Sequence, residues 1–181
     1  YSGALALARL AGVSILALPM SPEGADPRPL HGRRVKLAYL MPERQNPTGI
    51  TTLDARRQEL LDAALASGAL LVEDGFEEPE SGIATLSARR RDRVVWLGTL
   101  SKDLVPGIRI GWIAASEALV EKCWAMRDYI TLSPGKLNDA LACLGLKHRD
   151  RIIARNTRII AENLKAAAAW IGERPYLSWT P

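Results

Sequence analysis

Short apolar runs at residues 35–40, 69–72 and 94–97 each end in polar residues, and stretches with helical spacing separate them. This alternation constrains the chain more than any single residue does. Near-continuous apolar runs are what strands buried on both faces of a parallel sheet require. Strands joined through helices run parallel, because the crossover returns the chain to the same end of the sheet. The pattern predicts an α/β fold, a three-layer α/β/α domain with a mostly parallel sheet. In such sheets a ligand sits at the carboxyl ends of the strands. Asn46 follows the run at 35–40, Asp74 the run at 69–72, and Ser101 and Lys102 the run at 94–97. Three polar loops are therefore expected on one edge.

The remaining elements follow from periodicity and punctuation. Residues 4–11 read as a short helix and 14–18 as a strand ending at Pro19. Residues 21–29 are turn-rich, and 45–49 form a loop. Thr51 or Thr52 is expected to cap a helix running to Ser67, which Gly68 stops. Its apolar stripe is Leu53, Leu60, Leu61, Ala64 and Leu65, with Arg56, Arg57 and Glu59 largely outside it. Residues 108–114 read as a further strand, and 116–127 and 136–147 as helices. A long helix is expected over 150–171, where Ile152, Ile153, Ile159, Ile160, Leu164, Ala167 and Ile171 recur at helical spacing. That stripe reads as packing against the domain or a partner.

At 181 residues the chain can bury a proper core. The formal charge of +4 is spread out, with Arg89-Arg90-Arg91 as the one basic run. A solvated face explains that run, and no nucleic-acid partner is expected from this segment. Cys123 and Cys143 lack metal or CxxC spacing and read as reduced core thiols, which points to a cytoplasmic protein. No metal ligand set is evident, and His31 and His148 are isolated. No apolar run approaches the roughly 20 residues of a membrane span. The chain starts at Tyr1 without Met and stops at Pro181 just after an apolar stretch, so both ends read as cut.

The residues after the third apolar run carry the chemistry. A lysine at a strand end, among small hydroxyl residues, can hold an aldehyde cofactor as a Schiff base. Arg109, seven residues after Lys102, offers a fixed fork of donors suited to a phosphate; Ser101 adds a hydroxyl and Thr99 is a further candidate. Asp74 can serve a turn or a helix cap, or can keep a pyridine nitrogen protonated. Asn46 begins Asn46-Pro47-Thr48-Gly49, which taken alone is a common turn signal. Neither glycine-rich nucleotide fingerprint, GxGxxG or GxxxxGK[ST], is present.

Together, Ser101-Lys102-x3-Pro106-Gly107-x-Arg109-x-Gly111, Asp74 after its strand, and Asn46-Pro47-Thr48-Gly49 downstream of Pro42 resemble the class I/II aminotransferases, fold-type-I enzymes dependent on pyridoxal 5'-phosphate. The likeness extends over nearly the whole chain. It implies that Lys102 is catalytic and binds the cofactor, with Asn46, Asp74, Phe76, Thr99, Ser101 and Arg109 as further cofactor-binding positions. It also implies an amino acid and a 2-oxo acid as substrates, and a homodimer with a partner contact at the loop Thr131-Leu132-Ser133-Pro134. Residues 1–175 would then be a cofactor-binding large domain incomplete on its N-terminal side. Residues 176–181 would begin a small domain. The family's first phosphate loop and ring-stacking aromatic would precede Tyr1, and its substrate-carboxylate arginine would follow Pro181.

One position departs from the family. Relatives usually carry a tyrosine two or three residues after the aspartate, where this chain has Phe76, which packs but cannot donate. That departure leaves room for a fold-type-I enzyme performing elimination, cyclisation or oxidation. Segments Arg127-Asp128-Tyr129-Ile130-Thr131 and Arg155-Asn156 resemble a subgroup that includes capreomycidine-synthase-like enzymes. A third reading is the cofactor-binding sensor domain of a transcription regulator, in which the lysine motif also occurs.

Overall fold

Local sequence signals place most elements, and a computed structural model gives their arrangement for residues 1–75 and 82–179. The chain divides into two compact units. The first comprises Tyr1–Thr99 with Gly111–Ser133, and the second Leu100–Ile110 with Pro134–Pro181.

The first unit holds helix α1 (Ser2–Leu10), a two-residue hairpin of β1 (Met20–Ser21) and β2 (Gly24–Ala25), and the main sheet. Its strands are β3 (Leu37–Leu40), β4 (Leu70–Asp74), β5 (Val94–Thr99) and β6 (Gly111–Ala114), in the order β3-β4-β5-β6. The β3–β4 and β4–β5 pairs are parallel, and β5–β6 is antiparallel. Helix α2 (Asp54–Ala66) makes the β3–β4 crossover, and the one-turn α3 (Leu86–Arg89) precedes β5. Helix α5 (Glu117–Arg127) follows β6. The mixed, mostly parallel sheet with flanking helices is the α/β class expected.

Helix α2 forms because its sequence is rich in Ala, Leu, Arg, Gln and Glu, all strong helix formers. Asp54 in its first turn complements the helix dipole. Gly68 ends it at φ +80°. The amide of Gly68 donates to the Leu65 carbonyl at 3.0 Å and that of Ala69 to the Ala64 carbonyl at 3.0 Å, a Schellman stop that only a residue tolerant of positive φ completes. Strand alternation then turns Ala38, Leu40, Leu71 and Val94 to one face, where they form a buried core with Leu60, Leu61, Ala64 and Leu86. Further along that face the Trp112 indole lies over Gly98 so closely that no Cβ fits there. Trp96 and Trp112 meet edge to face with centroids 5.8 Å apart.

Four expectations are corrected. Residues 14–18 form no strand, since they pair with nothing in either sheet, and Ile15 and Leu16 stay exposed. Neither Thr51 nor Thr52 caps α2. Leu53 occupies that position without a side-chain bond, and Thr52 is buried with its carbonyl accepting from Arg57. Arg57 is not on a solvent face but fully buried. Cys143 is exposed and Cys123 half-buried, so neither is a core thiol, though both are free.

Arg57 is buried because every part of its guanidinium has a partner. Nη2 donates to Glu43 Oε1 at 2.5 Å, Nε to the Thr52 carbonyl at 3.0 Å, and Nη1 to the Ile83 and Ala84 carbonyls at 3.4 Å each. One side chain thus ties the loop after β3 to the lead into α3. Glu73, 1% exposed, uses both oxygens on the amides of Leu86 (2.9 Å) and Ser87 (2.8 Å), and Thr85 Oγ1 accepts from the Ala88 amide. The glutamate satisfies the first turn of α3 from beneath.

The second unit contains the one-turn α4 (Leu100–Asp103), a 3-10 turn at Pro106–Ile108, α6 (Lys136–Lys147) and α7 (Arg149–Gly172). Gly145 of α6 admits Leu104 and Ile108, whose methyls would lie 3.4 and 3.8 Å from a Cβ there. The α7 stripe is exposed over its later turns, at Ile160 and Leu164.

Replacing Arg57 with Met should destabilise the protein by roughly 3–5 kcal/mol, because the buried Glu43 carboxylate would lose its guanidinium partner. The R57M/E43L pair should recover much of that loss. Urea unfolding measures both, and a cost below about 1 kcal/mol for R57M would contradict the bridge's role.

Candidate active site

Parallel pairing of β3, β4 and β5 brings their carboxyl ends to one edge of the sheet. Register fixes which side chains share a face there. Tyr39 stands opposite Val72, and Asp74 follows two residues on, so Tyr39, Val72 and Asp74 lie on the same face of adjacent strands. The Tyr39 hydroxyl donates a hydrogen bond to Asp74 Oδ2. Burial first, then that hydrogen bond and the negative charge of Asp74, hold the Tyr39 phenol protonated well above its usual range. The opposite face at this level carries Glu73, buried under α3, so adjacent carboxylates serve different ends. Glu73 is structural, and Asp74 is left at the sheet edge.

Asn46 lies beyond β3 in a turn closed by its neighbours. The Gln45 amide donates to the Ile50 carbonyl at 2.9 Å and the Gly49 amide to the Gln45 carbonyl at 2.6 Å, with Gly49 at φ +73°. Gln45 Oε1 accepts from the Thr48 amide (3.1 Å) and hydroxyl (2.6 Å). The Asn46–Pro47 peptide is cis, and Asn46 itself is exposed. Thr99 closes β5 opposite Gly111. Phe76 lies outside the described residues.

Ser101, Lys102 and Arg109 belong to the second unit. Lys102 is exposed on α4 rather than in an open turn. Arg109 is not within a strand as its apolar neighbours imply. Pro106-Gly107 start a 3-10 turn, and Arg109 follows it in the left-handed region at φ 54°, ψ 38°, before β6 starts at Gly111. Few non-glycine residues adopt that conformation, and those that do concentrate at functional sites. It directs Arg109 Nη1 to Ser101 Oγ at 3.5 Å, so a guanidinium and a hydroxyl share one spot. Two asparagines fix the flanking backbone. Asn156 Nδ2 of α7 donates to the Asp103 carbonyl at 3.2 Å, and Asn138 Nδ2 of α6 to the Ile108 carbonyl at 2.9 Å. The amide of Leu100 donates to the Ile110 carbonyl at 3.0 Å, closing the segment on itself.

Tyr39, Arg57, Glu43, Asn138 and Asn156 are not legible as site or supporting residues from motif spacing. For Tyr39 a signal exists: a tyrosine next to the last residue of the strand Leu37–Leu40 places a hydroxyl among otherwise apolar residues.

Residues 42–173 match the aminotransferase class I and II family, and the chain belongs to that family. It is 36% identical over 116 residues to aromatic-amino-acid aminotransferase 1 of Thermococcus litoralis, covering 61% of this chain and 28% of that protein. Over 181 residues it is 32% identical to capreomycidine synthase of Streptomyces vinaceus, covering 94% of this chain and 46% of the synthase. Its fold is similar to that of an α-aminoadipate aminotransferase from Thermus thermophilus, solved with N-(5'-phosphopyridoxyl)-L-leucine. The TM-score is 0.86 at 28% identity, covering 97% of this chain and 48% of that one. The chain spans less than half the length of these relatives. The comparisons indicate pyridoxal phosphate as the cofactor.

The donor set fits that group. Taken unit by unit, the residue types suit such a group: the first unit offers a carboxylate and an amide, and the second a primary amine and a guanidinium–hydroxyl pair. Among the described residues no cluster of His, Cys, Asp or Glu could hold a metal, and no helix is long and apolar enough to cross a membrane.

Replacing Asn156 with Ala should cost about 1 kcal/mol, the net worth of one such hydrogen bond. Amide hydrogen exchange should speed up at Leu104 and Val105, next to the freed carbonyl, and stay unchanged in α2. Unaltered exchange at Leu104 would contradict a clamp on the Lys102 segment.

Proposed function

We propose that the protein is a pyridoxal-phosphate-dependent aminotransferase that exchanges an amino group between an amino acid and a 2-oxo acid. The single observation that carries this reading is the pairing of Arg109 with Ser101 a few residues from Lys102, in a segment held by Asn138 and Asn156. When bound, the cofactor supplies an electron sink for a carbanion at the substrate's α-carbon. Lys102 Nζ would hold the cofactor's aldehyde at rest and, once the substrate's amine has replaced it there, would be free to move a proton at that α-carbon. Asp74 would accept a hydrogen bond from the pyridine nitrogen, Asn46 would donate to the phenolate oxygen, and Arg109, Ser101 and Thr99 would hold the phosphate.

Residues 1–175 are assigned as the cofactor-binding large domain, with a small domain starting at 176–181. We also assign a homodimer and a cytoplasmic location. Strong exposure of Tyr129, Ile130 and Leu132 supports a partner at the loop that follows α5. Free cysteines are consistent with a reducing compartment. A second reading, cyclisation or elimination by a related enzyme, is favoured by the capreomycidine synthase likeness, which extends over 94% of the chain.

Borohydride treatment of the intact protein loaded with cofactor should leave a phosphopyridoxyl group on Lys102, read by peptide mass spectrometry. The same adduct on another lysine rejects the assignment. Lys102→Ala should abolish turnover and keep the fold. Arg109→Ala should weaken cofactor binding by roughly 10- to 100-fold, as loss of a charge-assisted donor pair requires. Incubation with a panel of amino acids, against pyruvate and 2-oxoglutarate, separates the chemistries. New amino acids formed from the 2-oxo acids signify transamination. Ammonia release without amino transfer signifies elimination and overturns the first reading.

A further inference from the structure

We propose that Tyr39 is a positioning residue for Asp74, its hydroxyl holding Oδ2 so that Oδ1 is presented to the cofactor's pyridine nitrogen. The inference rests on the reading above and concerns a residue outside its motifs.

Geometry carries it. Parallel register sets Tyr39 opposite Val72 and therefore diagonal to Asp74 on the same face, a separation that an aromatic side chain can span. The hydroxyl reaches Asp74 Oδ2 across 35 residues of sequence. A carboxylate on a single Cβ rotates about χ2, a broad torsion, so an unheld aspartate at a strand end samples many orientations. A donor on one oxygen removes that freedom.

The chemical type of the donor matters as much as its place. An arginine or lysine there would neutralise Asp74 and compete with a pyridinium for it. A neutral phenol satisfies one oxygen and leaves the full negative charge for the ring nitrogen. Burial and the Asp74 charge keep that phenol protonated across the neutral range, so the donor is always present. A tyrosine with a merely structural role would need only its ring.

The test uses the intact protein and pyridoxal phosphate itself. Tyr39→Phe keeps the ring and removes the donor. By equilibrium dialysis its cofactor dissociation constant should rise roughly tenfold, the scale of one hydrogen bond to a charged group. D74N should weaken binding further, and the Y39F/D74N pair should bind no more weakly than D74N alone, because both substitutions remove one interaction. Wild-type affinity in Y39F, or effects of the two substitutions that multiply, would overturn the proposal. A second measurement needs no Tyr39 variant. With tyrosine labelled at Cζ, one tyrosine signal should move in D74N without cofactor, and no movement would overturn the contact. Wild-type protein that takes up no cofactor rejects the functional reading itself, whereas wild-type uptake with a silent Y39F rejects the Tyr39 role alone.

Discussion

Parallel pairing of β3, β4 and β5 is the constraint from which the rest of the first unit follows. It sends three successive chain segments out of the sheet at the same edge, and it fixes by register which side chains emerge on which face. A slip of one residue in β4 would exchange Glu73 and Asp74. The buried cap of α3 would then meet the sheet edge, and the acid at that edge would be driven beneath a helix. The neighbouring carboxylates have opposite environments because of the period-2 geometry of the strand, not because of their chemistry, which is the same.

Buried charge reinforces that register. Arg57 and Glu43 are removed from water together, with Nε and Nη1 of the guanidinium on backbone carbonyls. Such a pair adds little net stability but penalises any arrangement that separates its members. It fixes the start of the Asn46 loop to the lead into α3, two segments far apart in sequence. In the second unit neutral amides do similar work. Asn138 and Asn156 each hold one carbonyl on either side of the turn that forces Arg109 into the left-handed region. The candidate catalytic side chains are thus carried on segments whose backbone groups are already satisfied, which limits their freedom to move.

Sequence patterning revealed the sheet because buried parallel strands cannot alternate, and residues 35–40, 69–72 and 94–97 do not. It revealed α6 to the residue, since Gly135 and Lys147 bound a clean helical period. It failed at 14–18, where an apolar run lacks a pairing partner, and at Arg109, where Pro106-Gly107 interrupt an apolar run. Arg57 was misplaced because helical periodicity ranks charge as solvent-facing, and no local signal announces a partner fourteen residues upstream. Asn46, Asp74 and Lys102 stood out through motif spacing. Tyr39 did not, because its role depends on a cross-strand diagonal that sequence separation conceals.

Lys102, Asp74 and Asn46 are proposed to serve a single pyridoxal phosphate, and the functional reading stands or falls with that. A crystal structure of the intact protein grown with the cofactor tests it most directly. Continuous density is expected from Lys102 Nζ to the cofactor, with Asp74 Oδ1 within hydrogen-bonding distance of the ring nitrogen and Asn46 beside the phenolate oxygen. A cofactor bound to a different lysine, or lying away from Asp74, would contradict it.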